Sequence, residues 1–183
     1  MHEKRFNRDI SSLRSPRRLE MLEAGRVITL ALEGLIQPKT ALDVGTGSGI
    51  FAEQLVKRGL QVSGMDASLD MLAVAGQFVP SGIFKQGLAE KMPFEDAEFD
   101  LVIMGLVLHE TDDPLTALLE ARRVSKQRVA VLEWGYQPQS FGPPLGDRLS
   151  PEKITTLSRQ AGFQTIRFIQ LSKLVLTLME PSA

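Results

Sequence analysis

The chain has 183 residues, no cysteine, and a net charge of −1 from 21 Lys and Arg against 22 Asp and Glu. That length suits one domain around a single core. The near-neutral balance leaves no field to gather nucleic acid or an anionic membrane surface, and the missing thiols exclude disulfides, a cysteine nucleophile and a Cys-based metal site.

Residues 1–24 are polar and basic, with Lys4, Arg5, Arg8, Arg14, Arg17 and Arg18 against Glu3, Asp9, Glu20 and Glu23. They read as a solvated arm in which Ser15-Pro16 opens a short helix as N-cap and first-turn proline. Residues 25–183 are expected to form a single domain. The N-terminus is charged and lacks an apolar signal region, and no apolar run reaches the roughly 18 residues of a membrane helix. A cytoplasmic protein without stable membrane insertion is therefore expected. His2 and His109 are the only histidines, so no metal site is expected either.

A helix is predicted over Arg26–Ile36, with Val27, Leu30, Ala31 and Leu35 on one face and Gln37-Pro38-Lys39 as its stop. A strand at Thr40–Val44 then runs into Gly45, Gly47 and Gly49, and a helix carrying Phe51 and Leu55 follows. Glycine permits a sharp turn and close backbone approach to a ligand. The helix start offers unpaired N–H groups and a positive dipole end. The segment reads as a nucleotide-type loop at the carboxyl end of a first parallel strand. Its pattern is D-x-G-x-G-x-G. Counted from Gly45, the dinucleotide pattern G-x-G-x-x-G/A fails because Ile50 stands at its last position. Asp43 would repel a pyrophosphate and favour a cationic ligand.

Gln61–Asp66 reads as a second strand ending in a carboxylate. Asp66 lies about 20 residues beyond Gly45, where an acid binds ribose hydroxyls in a βαβ unit. Ser68 caps a helix that runs to Phe78. Ile83–Gln86 is a third strand and residues 87–94 a loop. Phe99–Met104 is a near-continuous apolar strand, as expected for one buried on both faces. Asp113-Pro114 opens a helix with Leu115, Leu118 and Leu119, and Gln127–Trp134 is a fifth strand. The Gly/Pro-rich loop 135–149 is long enough to suggest a function. Ser150-Pro151 opens a helix with Ile154, Leu157 and Ala161 in phase, ended by Gly162. Phe163–Gln170 and Lys173–Met179 are too close in sequence for a parallel crossover and must pair antiparallel.

Asp43–Gly49, Val62–Asp66 and the stretch Gly87–Glu110 resemble the successive motifs of class I S-adenosylmethionine-dependent methyltransferases. The nearest branch is methyltransferase type 11, the small-molecule group that includes ubiquinone and menaquinone C-methyltransferases. The resemblance covers most of residues 25–180. It implies an α/β fold: a doubly wound, Rossmann-like, seven-stranded, mostly parallel sheet of order 3-2-1-4-5-7-6, closed by the antiparallel C-terminal hairpin. It implies S-adenosylmethionine as cofactor and S-adenosylhomocysteine as product. By the same resemblance Gly45, Thr46, Gly47 and Gly49 support the methionine part, and Asp43 helps hold its amino end. Asp66 binds the ribose, and Met65 and Ala67 flank the adenine. Leu88-Ala89 lies where many relatives carry an Asp before Ala to bind the adenine amino group, a bond that Leu88 cannot accept. Gly105 and Leu106 line the methionine end. Relatives often build a lid from the region corresponding to residues 1–24.

The methyl of a sulfonium is already activated, so the protein must chiefly place a nucleophile in line with it and keep the site dry. A base is needed only when the nucleophile cannot shed its proton in time. The expected function is in-line methyl transfer to a small organic acceptor. The alternative is a non-catalytic cofactor-binding module that regulates a partner. An Asn/Asp-Pro-Pro-aromatic motif is missing after the fourth strand, which argues against nucleobase and glutamine amines and against nucleic acid as partner. A nicotinamide oxidoreductase is disfavoured by Ile50 and by the lack of a Tyr-x-x-x-Lys pair. A homodimer is compatible with the composition. Trp134 and Tyr136, at the end of the fifth strand, could stack a flat substrate or pack the rim. Arg148 could contact a substrate anion or pack on its own loop. His109 could be a general base, a pocket wall or a packed side chain, and pocket contact is the reading adopted. No large insertion caps the pocket, so residues 1–24, the 135–149 loop or a partner must close it.

Overall fold

The structure is a computed structural model that describes residues 13–181. The expectations for residues 1–12, including Lys4, Arg5 and Arg8, lie outside the described residues. Seven strands form one sheet in the order β3-β2-β1-β4-β5-β7-β6. They are β1 (Thr40–Val44), β2 (Gln61–Asp66), β3 (Ile83–Gln86), β4 (Phe99–Gly105), β5 (Ser125–Trp134), β6 (Phe163–Gln170) and β7 (Leu174–Pro181). The first five are parallel, and β7 runs antiparallel to both β5 and β6. The order and the hairpin match the expected architecture.

The helices are α1 (Pro16–Leu22), α2 (Ala24–Leu32), α3 (Ile50–Val56), α4 (Leu69–Phe78), α5 (Pro114–Val124) and α6 (Pro151–Gln160). Side chains alternate across a strand, so β4 feeds two cores. Leu101 and Ile103 face α2 and α3, where Val27, Ile28, Phe51 and Leu55 are buried. Val102 faces the opposite layer, with Leu118 of α5 and Leu157 of α6. This double coverage explains the near-continuous apolar run of β4.

Helix α2 ends at Leu32 rather than Ile36. Gly34 takes φ +79, a left-handed conformation that ends helices without a Cβ penalty. The buried guanidinium of Arg128, on β5, donates to the carbonyls of Ala31 and Glu33 at 2.8 Å and pairs with Glu180. It thereby satisfies carbonyls that a helix end leaves free. Strand β5 begins at Ser125, two residues before the predicted Gln127.

Among the described residues, no helix is long and apolar enough to cross a membrane. Strand β1 lies between β2 and β4, so the strand order reverses there. Ligands bind outside the carboxyl ends of strands at such a switch point.

Candidate functional site

The loop after β1 is shaped by one close approach. Gly45 has φ +64, and a Cβ there would lie 2.1 Å from Cγ2 of Val107. The backbone can pass the β4 loop only because that atom is missing. Beyond the turn, the Thr46 N–H donates to the Met65 carbonyl at 2.8 Å, tying the loop to β2. Asp66, at the end of β2, accepts from the Gly47 N–H at 2.9 Å and from the Ser68 N–H at 3.0 Å. Both carboxylate oxygens are thus oriented while the residue still lines the cleft. Ser68 caps α4 as the sequence predicts, accepting from the Met71 N–H.

Asp43 sits beneath the loop and does not line the cleft. It is buried, and its Oδ2 accepts from the Thr46 hydroxyl at 2.8 Å and the Ala52 N–H at 3.0 Å. Its Oδ1 has no partner among the described residues. Burial dominates and pushes its carboxyl up to about 7, against the downward pull of those hydrogen bonds. A carboxyl raised above its unfolded value stabilises the fold fully at low pH and loses that contribution as pH rises through the folded value. From about pH 4 to about pH 7 the native protein should therefore lose stability relative to Asp43→Asn, by at most about 1.4 kcal/mol per pH unit. Urea unfolding of both proteins at pH 5 and pH 7 measures this, and parallel pH dependences would refute it.

The cleft has a volume of about 1540 Å³. A single drug-sized ligand occupies a pocket of roughly 300–1,000 Å³, so the cleft has room for more than one such ligand. Gly45, Gly47, Asp66, Ala67, Leu88 and Ala89 line one part of it, and Gly105, Leu106, His109 and Trp134 another. Thr46 and Gly49, like Asp43, support the loop from behind. Arg17, Arg18 and Met21 of α1 also line the cleft, as do residues 140–144 of the long loop. These two segments line the space that no insertion caps.

Two of the substrate candidates lie outside the cleft lining. Tyr136 is half exposed and does not line the cleft. Arg148 is buried, and its guanidinium donates to the carbonyls of Pro143, Gly135, Gln137 and Phe141 at 2.9–3.0 Å. Four of the five N–H groups of a guanidinium are thus spent on the loop's own backbone, leaving it unsuited to a substrate anion. The loop folds onto Trp134, whose ring is tilted against Phe141 at 6.0 Å. Arg148→Met should cost about 2–3 kcal/mol of local stability, because buried carbonyls lose charged donors. Faster hydrogen exchange confined to residues 135–149 checks this, and unchanged exchange would count against it.

His109 lies on a 3₁₀ turn, Leu108–Glu110, just after β4. Its Nδ1 is 2.8 Å from Oε2 of Glu133, and its backbone N–H donates to Oε1 at 3.1 Å. Glu133 is 1% exposed. Burial alone lowers the imidazole pKa, but the Glu133 hydrogen bond and the charges of Glu133, Glu110 and Asp147 outweigh it and raise the value. Glu133 is missing from the residues singled out in the sequence. Its signal there is a lone acid inside the apolar run Val129–Trp134, since burying a carboxylate is costly without partners.

Comparison with known proteins adds the following. Residues 42–132 match the model of a family described as a methyltransferase domain. A demethylmenaquinone methyltransferase of Chlorobaculum tepidum is 42% identical over 96 residues, which are 52% of this chain and 39% of that protein. One from Thermotoga maritima is 35% identical over 112 residues, 59% of this chain and 48% of that protein. The chain thus spans less than half the length of both relatives. The crystal structure of a SAM dependent methyltransferase from Aquifex aeolicus superposes with a TM-score of 0.81 at 26% identity, covering 93% of this chain and 95% of that one.

Proposed function

We infer that this chain, which belongs to the class I S-adenosylmethionine-dependent methyltransferase family, binds S-adenosylmethionine in the cleft and transfers its methyl group to a small organic acceptor. The observation that carries this is Asp66, oriented by the Gly47 and Ser68 N–H groups on the cleft wall beside Gly45. An acceptor-only carboxylate there suits a pair of vicinal hydroxyls. The residues also suit a cationic ligand. Asp43 carries a buried, unpartnered Oδ1 directly under the glycine loop, and a nearby positive charge would favour its ionised form.

When bound, the cofactor would supply a methyl on a cationic sulfur, open to in-line displacement. The protein's share is placement and dryness. Gly45 and Gly47 allow the backbone to approach the ligand. Leu88 and Ala89 offer an apolar wall for the adenine. Trp134 and Leu106 border the part of the cleft left for the acceptor. We read residues 13–22 as part of a lid. Arg14 supports this, since it donates to the Ser48 carbonyl at 2.7 Å, pairs with Glu53 and stacks 3.7 Å from the Phe78 ring. The arm is thereby held on the glycine loop itself. The acceptor we have in mind is a cytoplasmic metabolite rather than nucleic acid, given the net charge of −1.

The test is transfer of a labelled methyl from S-adenosylmethionine to a small-molecule cell extract, with mass identification of the product. A labelled product of low mass, absent without the protein, is expected. Tight cofactor binding with no labelled product across extracts would favour the regulatory module instead.

A further inference from the structure

We propose that the cleft leaves the 6-amino group of the cofactor's purine unread, and that Leu88 makes the site tolerant of cofactors altered at that position. The proposal rests on the S-adenosylmethionine reading of the cleft and names the part of that cofactor the protein does not select.

Asp66 is the fixed point. It closes β2 in register with Gln86 of β3, so Gly87, Leu88 and Ala89 leave the sheet beside it. The turn is tight: a Cβ on Gly87 would lie 2.9 Å from Met65 Cε and 3.0 Å from Pro93 Cδ. The Gly87 N–H donates to the Asp66 carbonyl at 3.1 Å. A ribose held on Asp66 carries the methionine chain at one end and the purine at the other, so the two extend in opposite directions. The glycine loop takes one direction, where the Gly47 N–H reaches the Asp66 carboxylate. The other is walled by Met65, Ala67, Met71, Leu88 and Ala89, all of which line the cleft. Those side chains are apolar and suit the faces of a flat ring.

An amino group is a donor, and a site selects it by placing a hydrogen-bond acceptor that would be left unpaired without it. The described residues of this wall offer no such side chain. Leu88 has no acceptor atom in its side chain, and the polar groups around it are already engaged. Gln86 donates through Nε2 to the Ala67 carbonyl at 3.0 Å. Ser68 Oγ accepts from the Met71 N–H at 3.4 Å. Glu90 Oε1 accepts from the Asp112 N–H at 2.8 Å, which ties it to the loop before α5. The carbonyls of Asp66 and Leu88 receive the N–H groups of Gly87 and Lys91, the second at 3.0 Å.

Exposure decides what the amino group meets instead. Ala89 is buried, whereas Leu88 is 41% exposed and stands at the rim. Position 6 lies on the purine ring remote from the sugar and so falls toward this rim. There the amino group keeps water as its partner, whether the cofactor is bound or free. A group hydrated in both states adds no differential binding, and losing it leaves no buried protein atom unpaired. Selection then falls to the ribose and to the chain beyond it. An aspartate in place of Leu88 would supply the missing acceptor.

Calorimetry on the native protein compares S-adenosylhomocysteine with two analogues. In one, hydrogen replaces the 6-amino group. In the other, that group carries a methyl. Both keep the ring nitrogens, the ribose and the homocysteine chain. All three should bind with affinities within about threefold of one another, less than the roughly tenfold effect of one good hydrogen bond. In Leu88→Asp the analogue without the amino group should bind about 10–100-fold more weakly than S-adenosylhomocysteine, the range of a hydrogen bond to a charged group. Leu88 is exposed enough for that variant to fold, and the comparison on the native protein does not depend on it. Native protein that binds either analogue about tenfold or more weakly would overturn the proposal. So would a folded Leu88→Asp that binds the forms with and without the amino group equally well. Failure of the native protein to bind any of the three would instead overturn the underlying reading of the cleft.

Discussion

Replacing Gly45 with alanine is expected to destabilise the protein by about 2–5 kcal/mol and to remove measurable cofactor binding. Two costs add. A left-handed backbone costs an L-residue roughly 1–2 kcal/mol, and φ at this position is +64. Forcing an extra carbon into a packed contact costs about 1–3 kcal/mol more. The new Cβ would meet Val107 Cγ2 at 2.1 Å, with Cβ and Cγ1 of the same residue at 3.2 Å. Turning the valine about its χ1 cannot clear the contact fully, because its Cβ stays 3.2 Å away. The backbone must move, and His109 lies two residues further along. The loop that approaches the cofactor and the turn that carries His109 should be displaced together. The double variant Gly45→Ala, Val107→Ala removes both methyl contacts and leaves the backbone strain with the tighter approach of the remaining Cβ at 3.2 Å. Denaturant midpoints for the single and double variants measure the difference, and a double variant no more stable than the single one would refute the steric account.

The second large effect is expected at Asp66. Changing it to alanine removes a charged acceptor from the ribose hydroxyls, a loss of about 1.5–3 kcal/mol. It also strips the Gly47 and Ser68 N–H groups of their partner, which loosens the loop that must form the rest of the site. Affinity for S-adenosylhomocysteine should fall on the order of 10²-fold, since each factor of ten is about 1.4 kcal/mol. Asp66→Asn keeps one acceptor oxygen and should lose less. Calorimetry decides this, and equal affinity in Asp66→Ala and the native protein would remove Asp66 from the site.

These two residues are also where the sequence is most informative. Glycines at alternate positions after an apolar strand, and an acid at the end of the next strand, are local signals with local causes. Steric exclusion at Gly45 and the exposed end of β2 at Asp66 leave few alternatives. The strand order comes from family resemblance, because periodicity reveals strands but not their neighbours.

The hydrogen-bonded pair of His109 and Glu133 shows the limit of local reading. His109 and Glu133 are 24 positions apart and meet because β4 pairs with β5, with Gly105 opposite Leu132. Without that pairing, the sequence shows only a histidine after one strand and an acid in another. Arg148 is ambiguous for a different reason. Its partners are backbone carbonyls, which every residue carries, so no sequence pattern separates a loop clamp from a substrate contact. The end of α2 at Leu32 was predictable in kind, since Gly34 lies in the segment. The buried Arg128 that completes it comes from a distant strand.

The most direct measurement is a crystal structure of the protein with S-adenosylhomocysteine. The ribose hydroxyls should lie within hydrogen-bonding distance of the Asp66 carboxylate. The chain beyond the sulfur should run over Gly45 and Gly47, and the sulfur should face the part of the cleft lined by His109. A ligand bound elsewhere, or one whose ribose does not touch Asp66, would contradict the assignment of this cleft.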